Sequence, residues 1–400
     1  MREKILLLGS TGSIGRQTLD ILKYSSDYEL VGISLKSRFQ NLEDYLFYFD
    51  SLKYVAIEDE KSALEFKAVH PSYTVISGKN CSVELIKSVK GEKTVFNALM
   101  GNCGLLPSLE AIKEGCDLLL SNKESLVIGS SLIKKALETS QSHLYPVDSE
   151  HVALAKLLKE AKRRGITNDQ ITKLTVTASG GSLRDMDIDQ LDYVQPETVL
   201  HHPTWNMGNK ITVDCATLVN KGYEVIEASV LFDFPLEKVD AIICRESLVH
   251  ALLTYEKDGK EETIMEYSPC DMKVAISYAL SKGELNMHEI SSEDEENIKK
   301  LHFGKIDNGF YPLFRQTINA FKTLGNAGMI YYNAIDSLAI QQFLDREIPF
   351  VYIREALGFA VENIPSMELT SENLPQIEAE AEKFALQTMI KVSFLYPGGK

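Results

Sequence analysis

The run Lys4 to Leu8 stops at Gly9, and Gly9-Ser10-Thr11-Gly12-Ser13-Ile14-Gly15 leads from it into Thr18, Leu19, Ile21 and Leu22 at helical spacing. This predicts a strand, a glycine turn and a helix. Glycine lets the backbone approach a pyrophosphate without a Cβ clash, and the free amides and positive dipole end of the helix then meet the anion. An ordinary tight strand-to-helix turn would show the same residues. The spacing, G-x-x-G-x-x-G, also departs from the commoner G-x-G-x-x-G fingerprint. The candidate cofactor contacts in this turn are Ser10, Thr11, Gly12, Ser13 and Ile14.

A second apolar strand, Leu30 to Leu35, ends in Lys36-Ser37-Arg38, where NAD-selective folds place an acid for the ribose 2'-hydroxyl. Cationic side chains there favour a 2'-phosphate, so Lys36 and Arg38 point to NADPH; a solvated basic loop is the plainer alternative. Further strands at Tyr54 to Ile57, Thr94 to Leu99 and Asp117 to Leu120 alternate with helical stretches at Lys61 to Val69 and Pro107 to Glu114. Alternation of this kind predicts an α/β fold with an N-terminal doubly wound, Rossmann-type domain and ligands at the carboxyl ends of the strands. Gly101-Asn102-Cys103-Gly104 and Ser121-Asn122-Lys123-Glu124 stand at such ends, and Lys123 is placed to enter the crevice.

A chain of 400 residues exceeds one typical domain. Its net charge of -15 argues against broad binding of nucleic acid or anionic membrane, so any phosphate ligand must be held by local cations. No apolar stretch is long enough to span a bilayer, and the N-terminus has no signal-peptide pattern. The six cysteines lack Cys-x-x-Cys spacing. These features predict a cytoplasmic, multidomain protein with reduced thiols.

Pro146-Val147-Asp148-Ser149-Glu150-His151 sets two carboxylates one residue apart, and Asn220-Lys221-Gly222-Tyr223-Glu224 supplies a third. On an extended backbone Asp148 and Glu150 would face one side and Ser149 elsewhere. Acids that merely open the helix Val152 to Ala161 would give the same residues. With Glu224 the three could hold a hard divalent cation. Thr177-Ala178-Ser179-Gly180-Gly181 follows the strand Leu174 to Val176 and is either a turn that presents amides and a hydroxyl or a plain loop. His201-His202-Pro203-Thr204-Trp205-Asn206-Met207-Gly208 holds the single tryptophan on a loop, either as a lid over a substrate or as an anchor for the loop itself.

Taken in order, Gly9 to Gly15, Ser121 to Glu124, Pro146 to His151, Thr177 to Gly181, His202 to Trp205 and Asn220 to Glu224 resemble the 1-deoxy-D-xylulose 5-phosphate reductoisomerase family. The resemblance extends to Gly325-Asn326-Ala327, Asn333-Ala334 and Phe343 to Phe350. It implies NADPH, a divalent metal such as Mg or Mn, conversion of 1-deoxy-D-xylulose 5-phosphate into 2-C-methyl-D-erythritol 4-phosphate in non-mevalonate isoprenoid synthesis, and a homodimer of V-shaped, three-part protomers. It makes Asp148, Glu150 and Glu224 metal ligands, with Lys123 and Ser149 on the substrate backbone. Ser179, His202, Asn220 and Lys221 fall to the substrate phosphate, and Trp205 and Met207 to a lid. Asn122, Glu124 and Gly208 join the candidate cofactor contacts.

The chain departs from the family pattern at Cys215, where a phosphate-binding serine is usual and a thiol is a poorer donor. Ser182-Leu183 replaces a proline and an aromatic residue, the loop at Lys36 to Arg38 lacks a glycine, and Cys244 to Ile276 matches loosely. The expected division is an NADPH-binding domain over 1–150, a catalytic and dimerisation α/β domain over 151–285, a surface linker over 286–311 and a helical bundle over 312–400. Two other readings compete: a dehydrogenase of another small phosphorylated substrate, which would not need the three acids, and an inactive nucleotide-binding paralogue, against which the intact Lys123, Asp148, Glu150, His202 and Glu224 argue.

Overall fold

A computed structural model describes residues 2–395, so the first residue of the expected 1–150 domain and the last five of the expected 312–400 domain lie outside the described residues. The chain forms two compact units. One runs to Ser125, resumes over Ser131–Asp148 and returns over Asp271–Leu285; the other holds Leu126–Ser130, Ser149–Cys270 and the chain from Asn286 on.

The first unit is built on seven strands: β1 (Glu3–Leu8), β2 (Tyr28–Leu35), β3 (Tyr54–Ile57), β4 (Thr74–Ser77), β5 (Thr94–Asn97), β6 (Asp117–Leu120) and β7 (Leu144–Pro146). Their order is β4-β3-β2-β1-β5-β6-β7, and every pair is parallel. Chain order reverses beside β1, so the crevice of a doubly wound sheet opens at the carboxyl end of β1, where the glycine turn lies. Both faces of β1 are covered, which is why Ile5 to Leu8 is an unbroken apolar run. The helices are α1 (Ser13–Leu22), α2 (Glu43–Leu46), α3 (Glu60–Val69), α4 (Cys81–Ser88), α5 (Leu105–Lys113), α6 (Glu124–Glu138) and, from far along the chain, α11 (Met272–Leu280). Ile276, Ala279 and Leu280 of α11 enter the same core as Ile5, Leu7 and Leu19.

In the second unit α7 (Ser149–Arg163), α8 (Pro196–Leu200), α9 (Asn209–Thr217) and α10 (Val219–Leu231) accompany a five-stranded sheet. Its strands are β8 (Ile171–Ala178), β9 (Val239–Cys244), β10 (Val249–Lys257), β11 (Lys260–Tyr267) and β12 (Phe303–Gly304), in the order β11-β10-β8-β9-β12. Only β8 and β9 pair in parallel. Then follow α12 (Ser292–Ile298), α13 (Pro312–Leu344), α14 (Val351–Asn363) and α15 (Leu374–Leu395). Phe314 and Ile318 of α13 share a core with Leu154, Leu174 and Val225, so the terminal helices close over the sheet's own apolar residues.

Three expected boundaries change. The segment around α11 belongs with the parallel sheet, because its apolar face completes that core. The expected linker over 286–311 carries structure: Ser291 caps α12 by accepting from Asp294 N–H, which turns the run Glu293 to Glu296 into a helix start, and β12 pairs with β9. Linker and terminal helices also group with the second sheet rather than standing apart.

Candidate active site

The glycine turn is fixed by close packing. Gly9 has φ +80°, and a Cβ on it would fall 2.4 Å from Ala98 O; a Cβ on Gly15 would fall 2.3 Å from Gly9 O. Only glycine permits α1 to sit this near β1. No side chain caps α1, so its first-turn amides remain open to an anion. Thr11, Gly12, Ser13 and Ile14 line this turn at partial exposure. Ser10 is different: it is buried, and its N–H and Oγ–H both donate to Ser34 O, at 2.9 and 3.0 Å. Its hydroxyl therefore locks the turn onto β2. Lys36 and Arg38 stand exposed just past β2.

Asn122, buried after β6, donates Nδ2–H to Leu99 O and Gly101 O and accepts from Ser125 N–H. Glu124 accepts from Gly101 N–H. Both side chains therefore tie together the loops that end β5 and β6. The next residue along from Asn122, Lys123, is 7% exposed and holds its Nζ 2.8 Å from Asp148 Oδ2.

The acidic trio is organised by α7 and α10. Asp148 immediately precedes α7, and Ser149 is already its first residue, so the expected extended alternation gives way to a helix start. The Glu150 carboxylate still comes within 4.8 Å of that of Asp148, which lies outside the helix, and the Ser149 hydroxyl donates to Glu150 Oε2. Helix α10 buries Asn220, Lys221, Glu224 and Glu227, which a helix does only when each charge finds a partner. Lys221 Nζ meets Glu150 Oε1 at 2.9 Å and also pairs with Glu224 Oε2; Asn220 Nδ2 donates to Glu224 Oε1. Behind them His151, fully buried, donates Nε2–H to Glu224 O at 3.0 Å and sets Nδ1 3.4 Å from Glu227 Oε2. Carboxylate oxygens of Asp148, Glu150 and Glu224 all lie within 4.8 Å of one another. Three hard oxygen donors on this scale fit Mg or Mn better than a soft metal.

A second cluster forms past β8. His202 Nδ1 accepts N–H bonds from Thr204 (3.2 Å) and Trp205 (3.0 Å), so Nδ1 is bare and the proton sits on Nε2, 3.0 Å from Ser179 Oγ. Burial, and secondarily the Arg184 guanidinium, push the imidazole down from 6.5 to about 4, in keeping with a neutral ring. Gly181 has φ +70°, and a Cβ there would fall 2.6 Å from Cys215 O, so the Ser179 turn is pressed against α9. Cys215 is half-buried in α9. Trp205 is half-buried with its ring 6.1 Å from that of His250, and Met207 is half-buried beside it in the loop. Gly208 is the residue just before α9, and a Cβ there would meet nothing within 4 Å. Sequence reasoning gave no role to His151, Arg184 or Tyr311; His151 and Tyr311 find their partners far along the chain, Arg184 bonds both the nearby Ser179 O and the distant Arg245 O, and no local spacing announces them.

A parallel sheet with an open dinucleotide turn, together with a carboxylate trio set among ammonium groups, defines a nucleotide-dependent oxidoreductase with a divalent-metal site. Three family models match: the 1-deoxy-D-xylulose 5-phosphate reductoisomerase domain over residues 5–130, and two models of its C-terminal domains over 144–232 and 267–384. The reductoisomerase of Lysinibacillus sphaericus is 36% identical over 97% of this chain and 100% of its own length, and that of Clostridium kluyveri 35% identical over 96% and 98%. The chain belongs to the 1-deoxy-D-xylulose 5-phosphate reductoisomerase family. Among solved structures, a DOX-P reductoisomerase in complex with NADPH, fosmidomycin and magnesium superposes with a TM-score of 0.86 at 26% identity, covering 100% of both chains. The Zymomonas mobilis enzyme in complex with NADPH gives 0.81 at 28% identity, covering 97% of this chain and 99% of its own.

Proposed function

We propose that this chain converts 1-deoxy-D-xylulose 5-phosphate into 2-C-methyl-D-erythritol 4-phosphate, a step of non-mevalonate isoprenoid synthesis, with NADPH and a divalent cation. The observation that carries this reading is the meeting of Asp148, Glu150 and Glu224 within 4.8 Å. When bound, magnesium or manganese supplies Lewis-acid polarisation of the substrate's carbonyl and hydroxyl oxygens, and NADPH supplies the hydride.

The residues divide the remaining work. Asp148, Glu150 and Glu224 hold the cation, and the ammonium groups of Lys123 and Lys221 offset the mutual repulsion that would spread three carboxylates apart. Lys123, Ser149 and Glu150 contact the substrate backbone. Ser179, His202, Cys215, Asn220 and Lys221 take its phosphate, with neutral His202 donating through Nε2–H. Trp205 and Met207 close over the substrate and exclude water from the aldehyde to be reduced. Lys36 and Arg38 take the 2'-phosphate of NADPH. Thr11 to Ile14 receive the pyrophosphate on the start of α1, with Ser10, Asn122 and Glu124 shaping the walls and Gly208 beside the lid.

The protein acts as a homodimer in the cytoplasm. In support, β11 is an edge strand able to accept a second copy, and the six cysteines are free, as a reducing compartment keeps them. Among the described residues no helix is long and apolar enough to cross a membrane. The test is NADPH oxidation with 1-deoxy-D-xylulose 5-phosphate, with and without Mg or Mn. Metal-dependent turnover is expected; metal-independent turnover, or NADPH binding without turnover, overturns the reading.

A further inference from the structure

The turn Ser179-Gly180-Gly181 is gripped from behind by two residues outside the phosphate-binding set. Tyr311, 6% exposed at the start of α13, donates its phenol O–H to Gly180 O at 2.8 Å. Arg184 donates Nη1–H to Ser179 O and to Arg245 O, each at 2.8 Å. Burial pushes the Tyr311 hydroxyl up to about 12, so it stays a donor across the working range of pH.

The peptide joining Gly180 to Gly181 is trans, so its C=O and N–H point in opposite directions. Holding Gly180 O on Tyr311 therefore aims Gly181 N–H the other way, and that N–H donates to Ser179 Oγ at 3.1 Å. Ser179 Oγ thus faces two donors, Gly181 N–H and His202 Nε2–H. With its lone pairs engaged, the hydroxyl keeps its own proton for an outside acceptor. Gly180 at φ +87° and Gly181 at φ +70° make the required path possible, and neither clamp has a substitute in the turn's own sequence.

We infer that Tyr311 and Arg184 are positioning residues that turn the Ser179 hydroxyl into a committed donor for the substrate's phosphate, and so set the preference for a phosphorylated over an unphosphorylated substrate. This rests on the function proposed above. The chain of contacts runs from Tyr311 through the Gly180–Gly181 peptide to Ser179, and each link is a donor meeting an acceptor.

The test compares wild type, Tyr311→Phe and Arg184→Lys in steady-state kinetics with 1-deoxy-D-xylulose 5-phosphate and with 1-deoxy-D-xylulose, alongside inhibition by inorganic phosphate. Tyr311→Phe is expected to raise KM for the phosphorylated substrate and Ki for phosphate together, by about fivefold to tenfold, with kcat for the unphosphorylated sugar and KM for NADPH unchanged. Arg184→Lys, which cannot span both carbonyls, should act in the same direction. A role in folding alone would lower the melting temperature and leave the phosphate Ki and the ratio of kcat/KM between the two sugars at wild-type values, and that result overturns the inference. If Tyr311→Phe fails to fold, Arg184→Lys decides by the same ratio. Loss of turnover in wild type would instead sink the proposed function.

Discussion

Lys221 on α10 places its ammonium 2.9 Å from Glu150 Oε1 on α7, and the same group pairs with Glu224 one helical turn along its own helix. One cation thus joins the two carboxylates that come from distant parts of the chain. With Lys123 on Asp148, each member of the trio is already balanced by a lysine. The three carboxylates are thereby held close together, which is the arrangement a divalent ion needs.

Glu224 is 2% exposed, and its two oxygens are met by Asn220 and Lys221. Glu224→Gln keeps the shape and removes the charge. Metal affinity, read by Mn titration in an electron-spin resonance experiment, should fall about 100-fold or more, since even residues that merely orient metal ligands cost about 10- to 100-fold. The far-ultraviolet circular dichroism spectrum should not change. Wild-type Mn affinity in this variant would remove Glu224 from the ligand set.

Arg38 is exposed past the end of β2 and close in sequence to Lys36. Arg38→Ala should raise KM for NADPH by about tenfold, the size of one charge-assisted contact, and leave KM for NADH unaffected. Equal effects on both cofactors would show that this loop does not read the 2'-phosphate.

His202 lies near 4 instead of 6.5 because it is buried and faces Arg184. The unfolded chain therefore binds more protons between those two values, so stability rises with pH there. The contribution is complete above about 6.5 and disappears as the pH falls toward 4. The melting temperature of wild type should drop across this window more steeply than that of His202→Asn. Superimposable profiles would mean another group governs the acid limb.

Cys215 stands on α9 with its carbonyl against the Ser179 turn. A serine hydroxyl donates more strongly than a thiol and is shorter, so Cys215→Ser should lower KM for the phosphorylated substrate by about threefold to tenfold. An unchanged KM would show that this side chain does not reach the phosphate.

Much of the first unit was legible because its signals are local. Ile5 to Leu8, Gly9 and Gly15 announce a strand, a turn and a helix within one short stretch, although the atom that forbids a Cβ on Gly9 is Ala98 O, far along the chain. The carboxylate trio was half legible: the residue types and their order pointed to it, while the expected extended geometry at Asp148 to Glu150 was replaced by the first turn of α7. The run Glu293 to Glu296 misled for a related reason, since acids suit both a solvated loop and a capped helix start, and only the Ser291 cap decides.

By itself the sequence determined the parallel α/β sheet, the glycine turn between β1 and α1 and the identity of the candidate ligands, because periodicity, steric permission and donor chemistry belong to individual residues and their near neighbours. Tertiary structure alone decided that α11 completes the first core, that His151 backs Glu224, and that Tyr311 and Arg184 hold the Ser179 turn from behind. Apart from the Arg184 to Ser179 bond, those contacts join positions far apart in the chain, and a hydrogen bond of that kind leaves no periodic trace in the residues that make it.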